Sequence, residues 1–489
     1  MRKEWMWLVL SVVVLTAARL WLAAEWTVNP DEALLWLCTQ RMDLAFFDFP
    51  WGVPWVIQCG VWLAGESALG IRLFFPVFAG VATLAAWMIG QRLGGPSVGW
   101  WSALLLNAAP GFQLAAVEAG AVMPALAGSL VGLAVLSGAR SHAWSWMLAG
   151  FAFAFAVQFS MWPLLVALVA LGFLVPIGKH PRAEIPWFGL ILFYALIALG
   201  MLPFLIWNFL HHWPMGALST FQTLTHMSFA AALESLNQAV RVVSGPALLG
   251  VAVGLIFWIW GWRRERNLRL LWVITLPFLV VWLFCAVTGQ ASVFLVLISF
   301  FLLATASCAL LARWQRVGLA VAVFALMSVQ FYIQATSRVS DLPWSAIRRS
   351  VEALVESGEA YQTAPIFLVA QSDRLTASLN YHLEQSDIAG EAEVFPLESQ
   401  NLASQFGLWP SYDDFVETKL PPDELFAELR AENPYVGRSA LYITREPESA
   451  LPQAVTAAFE SVQPATTIAM GDAGTLYIYF CRNYQTLPL

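Results

Sequence analysis

A succession of apolar runs, each about twenty residues long, constrains this chain more than anything else in it. A helix that crosses the bilayer core needs about 20 mostly apolar residues. The first run, from about Trp5 to Ala24, follows Met1-Arg2-Lys3. It is too long for a signal-peptide core and has no clear small-residue cleavage site, so it reads as an uncleaved first helix. Further runs lie near 71–90, 98–115, 119–138, 144–160, 161–178, 187–207, 246–262, 270–287, 292–311 and 317–335, which predicts eleven spans. Only 12% of the residues are charged, against about 25% in an ordinary soluble chain.

Charge divides the chain in two. Residues 1–335 hold 16 Lys/Arg and 11 Asp/Glu, whereas residues 336–489 hold 9 and 21. This predicts a membrane domain over 1–335 and an acidic soluble domain over 336–489, and it excludes nucleic-acid binding through a basic face. With a cytoplasmic N-terminus, twelve Lys/Arg (Arg2, Lys3, Arg92, Arg140, Lys179, Arg182, Arg263, Arg264, Arg266, Arg269, Arg313, Arg316) fall on the inner side. Arg19, Arg41, Arg72 and Arg241 are left outside. The positive-inside rule therefore favours this orientation, and an odd number of spans puts the acidic domain outside. One hairpin, 144–178, must turn around Ser160-Met161-Trp162-Pro163. Five scattered cysteines give no zinc spacing and no disulfide framework, and a pairing of Cys38 with Cys59 is left open.

Two outer loops are expected, 25–70 and 208–245. The first is acidic with interspersed apolar residues, which suggests short helices on the outer membrane surface. In the acidic domain, Ile366–Val369 and Leu476–Phe480 read as strands, and 346–357, 374–383 and 423–432 read as helices. Alternating elements of this kind suggest a small α/β domain. No internal repeat marks the transporter pattern of inverted halves.

Chemistry concentrates in the first loop. Asn29-Pro30-Asp31-Glu32 has the form of a capped helix start, with Asn29 as N-cap, Pro30 at the first helical position and Glu32 reaching back. Adjacent helical residues point about 100° apart, so one carboxylate can cap while the other faces a cleft as a base. Capping alone also accounts for the stretch. The loop ends in Phe46-Phe47-Asp48-Phe49-Pro50-Trp51, a second acid among aromatic neighbours.

These residues resemble the bacterial GT-C superfamily of membrane glycosyltransferases, the group that contains protein O-mannosyltransferases and the lipid A aminoarabinose transferase. Asp31-Glu32-Ala33 matches the family's Asp-Glu-Ala motif, and Phe47-Asp48-Phe49-Pro50-Trp51 matches part of its Phe-Asp-His-Pro-Pro stretch. Gly65-Glu66-Ser67 with Ile71-Arg72-Leu73, Trp207-Asn208 with His211 and Trp213, and the ending Leu476–Tyr484 are similar too. Phe49 stands where the family has His, and Glu118–Pro124 holds no Asp where the family has Thr-Pro-Asp.

The resemblance implies an α-helical polytopic fold in the bacterial inner membrane with a periplasmic α/β domain. It implies an enzyme that takes a sugar from a polyprenyl-phosphate donor to an envelope lipid, glycan or protein acceptor on the outer face. An attacking hydroxyl needs a general base, for which Asp31 is the choice, with Glu32, Asp48 and Glu118 as the other candidate acids. A single displacement would invert the anomeric configuration. The departing lipid phosphate needs a cation, for which Arg72 and Arg241 are candidates, although Arg72 could equally snorkel from a helix end. Asn208, His211, Trp213 and Gln222 are expected to bind sugar or phosphate. No metal is expected, since His211, His212 and His226 lack helical ligand spacing. Two alternatives stay open: an inactive relative that scaffolds an envelope complex, and a transporter of lipid-linked sugars. The second would call for charges in mid-span, of which the runs before residue 335 have almost none, the acids clustering at the outer ends.

Overall fold

The structure is a computed structural model. It describes residues 2–40, 42–46, 50–138, 142–169, 187–210, 297, 325, 329, 332, 344–359, 366–384, 394–398, 437–470 and 474–484. The chain divides into two compact units, one of residues 1–26 with 42–335 and one of 27–41 with 336–489. The charge division at 335 coincides with a boundary between units. Residues 27–41, grouped by sequence with the membrane domain, pack instead with the C-terminal residues.

Among its described residues the first unit is helical. It comprises α1 (Arg2–Glu25), α3 (Gly52–Ala64), α4 (Ala68–Arg72), α5 (Phe75–Gly94), α6 (Pro96–Ala108), α7 (Pro110–Val117), α8 (Val122–Gly138), α9 (Ala143–Ala156), α10 (Trp162–Val169) and α11 (Trp187–Leu210), with α2 (Pro30–Thr39) in the second unit. Among the described residues, three stretches are long and apolar enough to span a bilayer: Trp5–Glu25, Ala68–Arg92 and Trp187–Leu210. Trp5, Trp7, Val13, Val14 and Trp21 on α1, and Phe188, Ile191 and Leu199 on α11, are exposed, as lipid-facing side chains must be.

One expected span is interrupted, and the junction that follows it is sharply bent. The run 98–115 breaks at Ala109, because Pro110 has no N–H to continue α6 and instead starts α7. Next, α7 and α8 meet at 111°, a broken span or a re-entrant loop, with Glu118 to Ala121 in the corner. The expected turn near Ser160 separates α9 from α10. The four spans expected beyond 245 lie outside the described residues, apart from Leu297, Ala325, Val329 and Tyr332. So does the helix expected at 423–432.

Close backbone approach fixes the loop end of this unit. A Cβ on Gly60 of α3 would collide with the Gly70 carbonyl oxygen, and one on Gly70 of α4 with that of Gly65. Glycine therefore lets α4 fold back against α3. Gln158, just past α9, ties three helices together. Its Nε2 donates to the Ala154 and Gly200 carbonyls at 2.8 and 2.6 Å. Its own carbonyl accepts from Gly52 N at 2.9 Å.

The second unit holds α2, α12 (Trp344–Glu359), β1 (Phe367–Ser372), α13 (Asp373–Leu383), β2 (Val394–Glu398), β3 (Ala440–Thr444), α14 (Gln453–Ala458), β4 (Phe459–Ala469) and β5 (Thr475–Tyr484). Its five-stranded sheet has the order β2-β1-β3-β5-β4. Strand β1 runs parallel to β2 and β3, while β5 is antiparallel to β3 and β4. Alternation sorts the side chains: Leu368, Ala370, Leu441, Ile443 and Ile478 face Ile347, Val351 and Val355 of α12 and Leu379 and Leu383 of α13. Phe367, Val369, Tyr442, Tyr479 and Cys481 form the opposite core with Val455, Phe459 and Tyr484. Both faces of β1 and β3 are thus covered, as parallel strands require.

Candidate active site

The expected helix start at Asn29 forms as a complete capping box. Glu32 N donates to Asn29 Oδ1 at 2.9 Å, and Asn29 N donates to Glu32 Oε2 at 3.0 Å, with Pro30 opening the helix. Glu32 is fully buried in this role. Asp31, one residue earlier, points elsewhere. Its carboxylate is 69% exposed and forms an ion pair with Arg374, whose Nε lies 2.7 Å from Asp31 Oδ1. The two acids of the motif therefore diverge, one locked at the helix start and one presented outward. Buried Trp36, further along α2, sits edge-on to Tyr381 of α13 with ring centroids 5.3 Å apart.

Arg72 is only 1% exposed, so it does not snorkel outward. Its Nη1 donates to the Ala23 carbonyl at 3.0 Å and the Trp26 carbonyl at 2.7 Å. Those carbonyls belong to the C-terminal end of α1, where helix geometry leaves acceptors unmatched and the dipole favours a cation. Glu118 ends α7, half-buried at the α7–α8 corner. Asn208 is fully buried; its Nδ2 donates to the Phe204 carbonyl at 2.9 Å, while its Oδ1 has no acceptor contact with a described residue. Asp48, His211, Trp213, Gln222 and Arg241 lie outside the described residues.

Two polar features were not singled out by the sequence reading. Asp43 in the first loop accepts from the indole Nε1 of buried Trp207 at 2.7 Å, which ties that loop to the end of α11. The pairing of Trp207 with Asn208 in the matched motif was the available signal. The other is Arg19, buried in α1. It donates from Nη2 to Asn107 Oδ1 at 2.7 Å and to Gln113 Oε1 at 3.0 Å, and it lies 5.5 Å from the Phe112 ring centroid. Asn107 donates in turn to Thr83 Oγ1 at 2.9 Å. An arginine one turn inside the end of an apolar run reads simply as an interfacial charge, so nothing in the sequence pointed to this network. Among the described residues, no three His, Cys, Asp or Glu side chains gather as a metal site would need.

Comparison with known proteins agrees with the resemblance read from the motifs. The profile of the family described as dolichyl-phosphate-mannose-protein mannosyltransferase matches residues 48–207. The lipid A galacturonosyltransferase RgtD of Rhizobium johnstonii is 26% identical over 246 residues, 49% of each chain. The chain thus spans about half the length of the curated relative it matches. Among solved structures, ArnT from Cupriavidus metallidurans superposes with a TM-score of 0.61 in its apo state, at 14% identity over 98% of both chains. The same protein bound to undecaprenyl phosphate gives 0.63, at 14% identity, over 96% of this chain and 97% of that one. The archaeal oligosaccharyltransferase AglB from Archaeoglobus fulgidus gives 0.51, at 12% identity, over 91% of this chain and 70% of that one. The chain thus resembles the GT-C membrane glycosyltransferases and has the polytopic ArnT fold.

Proposed function

We propose that the protein is a membrane glycosyltransferase that moves a sugar from a polyprenyl-phosphate donor to an envelope lipid, glycan or protein on the outer face of the bacterial inner membrane. The observation that carries this reading is the split of the Asp-Glu-Ala motif. Glu32 is consumed by the helix cap, which leaves Asp31 at a fixed helix start with an exposed carboxylate. A carboxylate so held can accept a hydrogen bond from an acceptor hydroxyl and take its proton as the new glycosidic bond forms. The fold shared with a protein solved on undecaprenyl phosphate supports a lipid-phosphate donor.

In this reading Asp31 is the base of a single displacement, so the product carries the inverted anomeric configuration. The bond from the anomeric carbon to the phosphate oxygen breaks, and the lipid phosphate departs with both electrons. Arg72 and Arg241 are the proposed cations that stabilise it. Asp48 and Glu118 are the further acids of the site, and Asn208, His211, Trp213 and Gln222 bind sugar or phosphate. The orientation proposed with it has a cytoplasmic N-terminus, eleven spans and an outer C-terminal domain. Phe49 and the acid-poor stretch after Glu118 support a second reading, an inactive relative that binds donor without turnover.

The test is transfer by the purified full chain in nanodiscs. Undecaprenyl phosphate carrying radiolabelled mannose, aminoarabinose or galacturonate serves as donor, and cell-envelope membranes serve as acceptor. Labelled product from the native chain and none from Asp31→Asn is the expected result. Transfer undiminished in Asp31→Asn removes the assigned base, and donor binding without turnover in the native chain favours the inactive relative.

A further inference from the structure

We infer that Arg374, from the C-terminal part of the chain, is a positioning residue that holds the Asp31 carboxylate in its working orientation; this rests on the reading of Asp31 as the base. The two residues are 343 positions apart in sequence, yet Arg374 Nε and Asp31 Oδ1 are 2.7 Å apart. Stability does not account for the pair. Both side chains are 69% exposed, and ion pairs so exposed to water add little to folding.

Both partners stand on rigid supports. Asp31 belongs to the first turn of α2, fixed by its capping box and by buried Trp36 against Tyr381. Arg374 belongs to the first turn of α13, which leaves the sheet directly from the carboxyl end of β1. That end is clamped to β3. Gln371 Oε1 accepts from Thr444 Oγ1 at 2.9 Å and from Arg445 N at 3.1 Å, and Gln371 Nε2 donates to Glu446 Oε1 at 3.0 Å. An arginine on a mobile loop could not hold a carboxylate to a tolerance that matters for catalysis, whereas one on this clamped strand end can.

The location has a topological reason as well. Strand β1 is flanked by β2 on one side and β3 on the other, both parallel to it. The connection therefore reverses direction across the sheet at β1. In open α/β sheets, ligands bind outside the carboxyl ends of the strands at such a reversal. Here the residue that the reversal presents is Arg374, and what it meets is the motif carboxylate. A guanidinium holds a carboxylate by direction as well as by charge, so its loss would let the Asp31 rotamer wander from the line of the attacking hydroxyl.

The test uses the full chain in nanodiscs with the labelled donors named above. For Arg374→Ala we expect kcat to fall by roughly 10²-fold, the usual effect of a misplaced catalytic group. KM for the donor and the thermal midpoint should stay within about twofold and about 2 °C of the native values, as an exposed pair implies. Arg374→Lys restores part of kcat, since the charge returns without the planar fork. Native kcat in Arg374→Ala, with Asp31→Asn inactive, overturns the role of Arg374 and leaves the base assignment standing. Transfer undiminished in Asp31→Asn overturns both. A structural arm needs no turnover: with native cysteines replaced by serine, Asp31→Cys and Arg374→Cys together should be bridged by a short bifunctional thiol reagent. Failure to bridge overturns the juxtaposition itself.

Discussion

Acidification should loosen the helix that carries Arg374, through His382. Its imidazole lies in the last turn of α13, stacked on Trp344 at 4.5 Å and edge-on to Tyr381 at 5.1 Å. Its Nε2 is buried with no hydrogen-bond partner among the described residues. Burial, aided by the nearby Arg348 cation, lowers its pKa from 6.5 to about 4. Each unit of pKa corresponds to about 1.4 kcal/mol, so the neutral ring accounts for about 3 kcal/mol between the two protonation states. The unfolded chain takes up the proton first. The stabilisation is therefore complete above pH 6.5 and declines as the pH falls from there towards 4. Hydrogen exchange of the 374–383 segment in the full chain, corrected for intrinsic rates, reads this as falling protection over that window. His382→Phe keeps a ring against Trp344 and removes both the titration and the unpartnered nitrogen. Its protection should be flat with pH and no lower than native at pH 7. A native profile that is already flat, or an equal decline in His382→Phe, refutes the reasoning.

Two further outcomes follow from the packing around the motif. Asn29→Ala removes the side-chain acceptor of the capping box and should destabilise α2 by about 1 kcal/mol, measured as faster exchange of the Glu32 and Ala33 amides. Arg72→Met strips two charge-assisted bonds from the end of α1 and leaves its carbonyls unmatched. The loss should be roughly 3 kcal/mol, seen as a lower thermal midpoint of the full chain in nanodiscs.

Much of the fold was legible because it rests on local signals. The apolar runs at 5–24 and 187–207 became α1 and α11 almost residue for residue. The caps at Asn29 and the strand at Leu476–Phe480 also follow from residue types alone. The break after Val117 falls between the expected runs 98–115 and 119–138, but hydropathy could not register the one at Ala109, since the residues on both sides are equally apolar. Pro110 was the punctuation visible there. The site was half legible. The divergence of Asp31 from Glu32 follows from the turn angle of a helix, but the partner of Asp31 does not. No pattern near position 31 encodes a guanidinium brought up by a strand and a helix more than 300 residues later. Arg72 shows the same limit from the other side. Its place at a helix end was readable, and its burial against the carbonyls of α1 was not.

Residues 27–41 pack with a sheet whose strands lie between 367 and 484. Synthesis delivers this piece more than three hundred residues ahead of its seat. Until those later residues are made, Trp36 has no Tyr381 to cover it and Asp31 no Arg374 beside it. The protein must therefore hold an unfinished helix in reserve while the residues between are made, and a chain cut short before β1 would leave the motif present in sequence and unassembled in space.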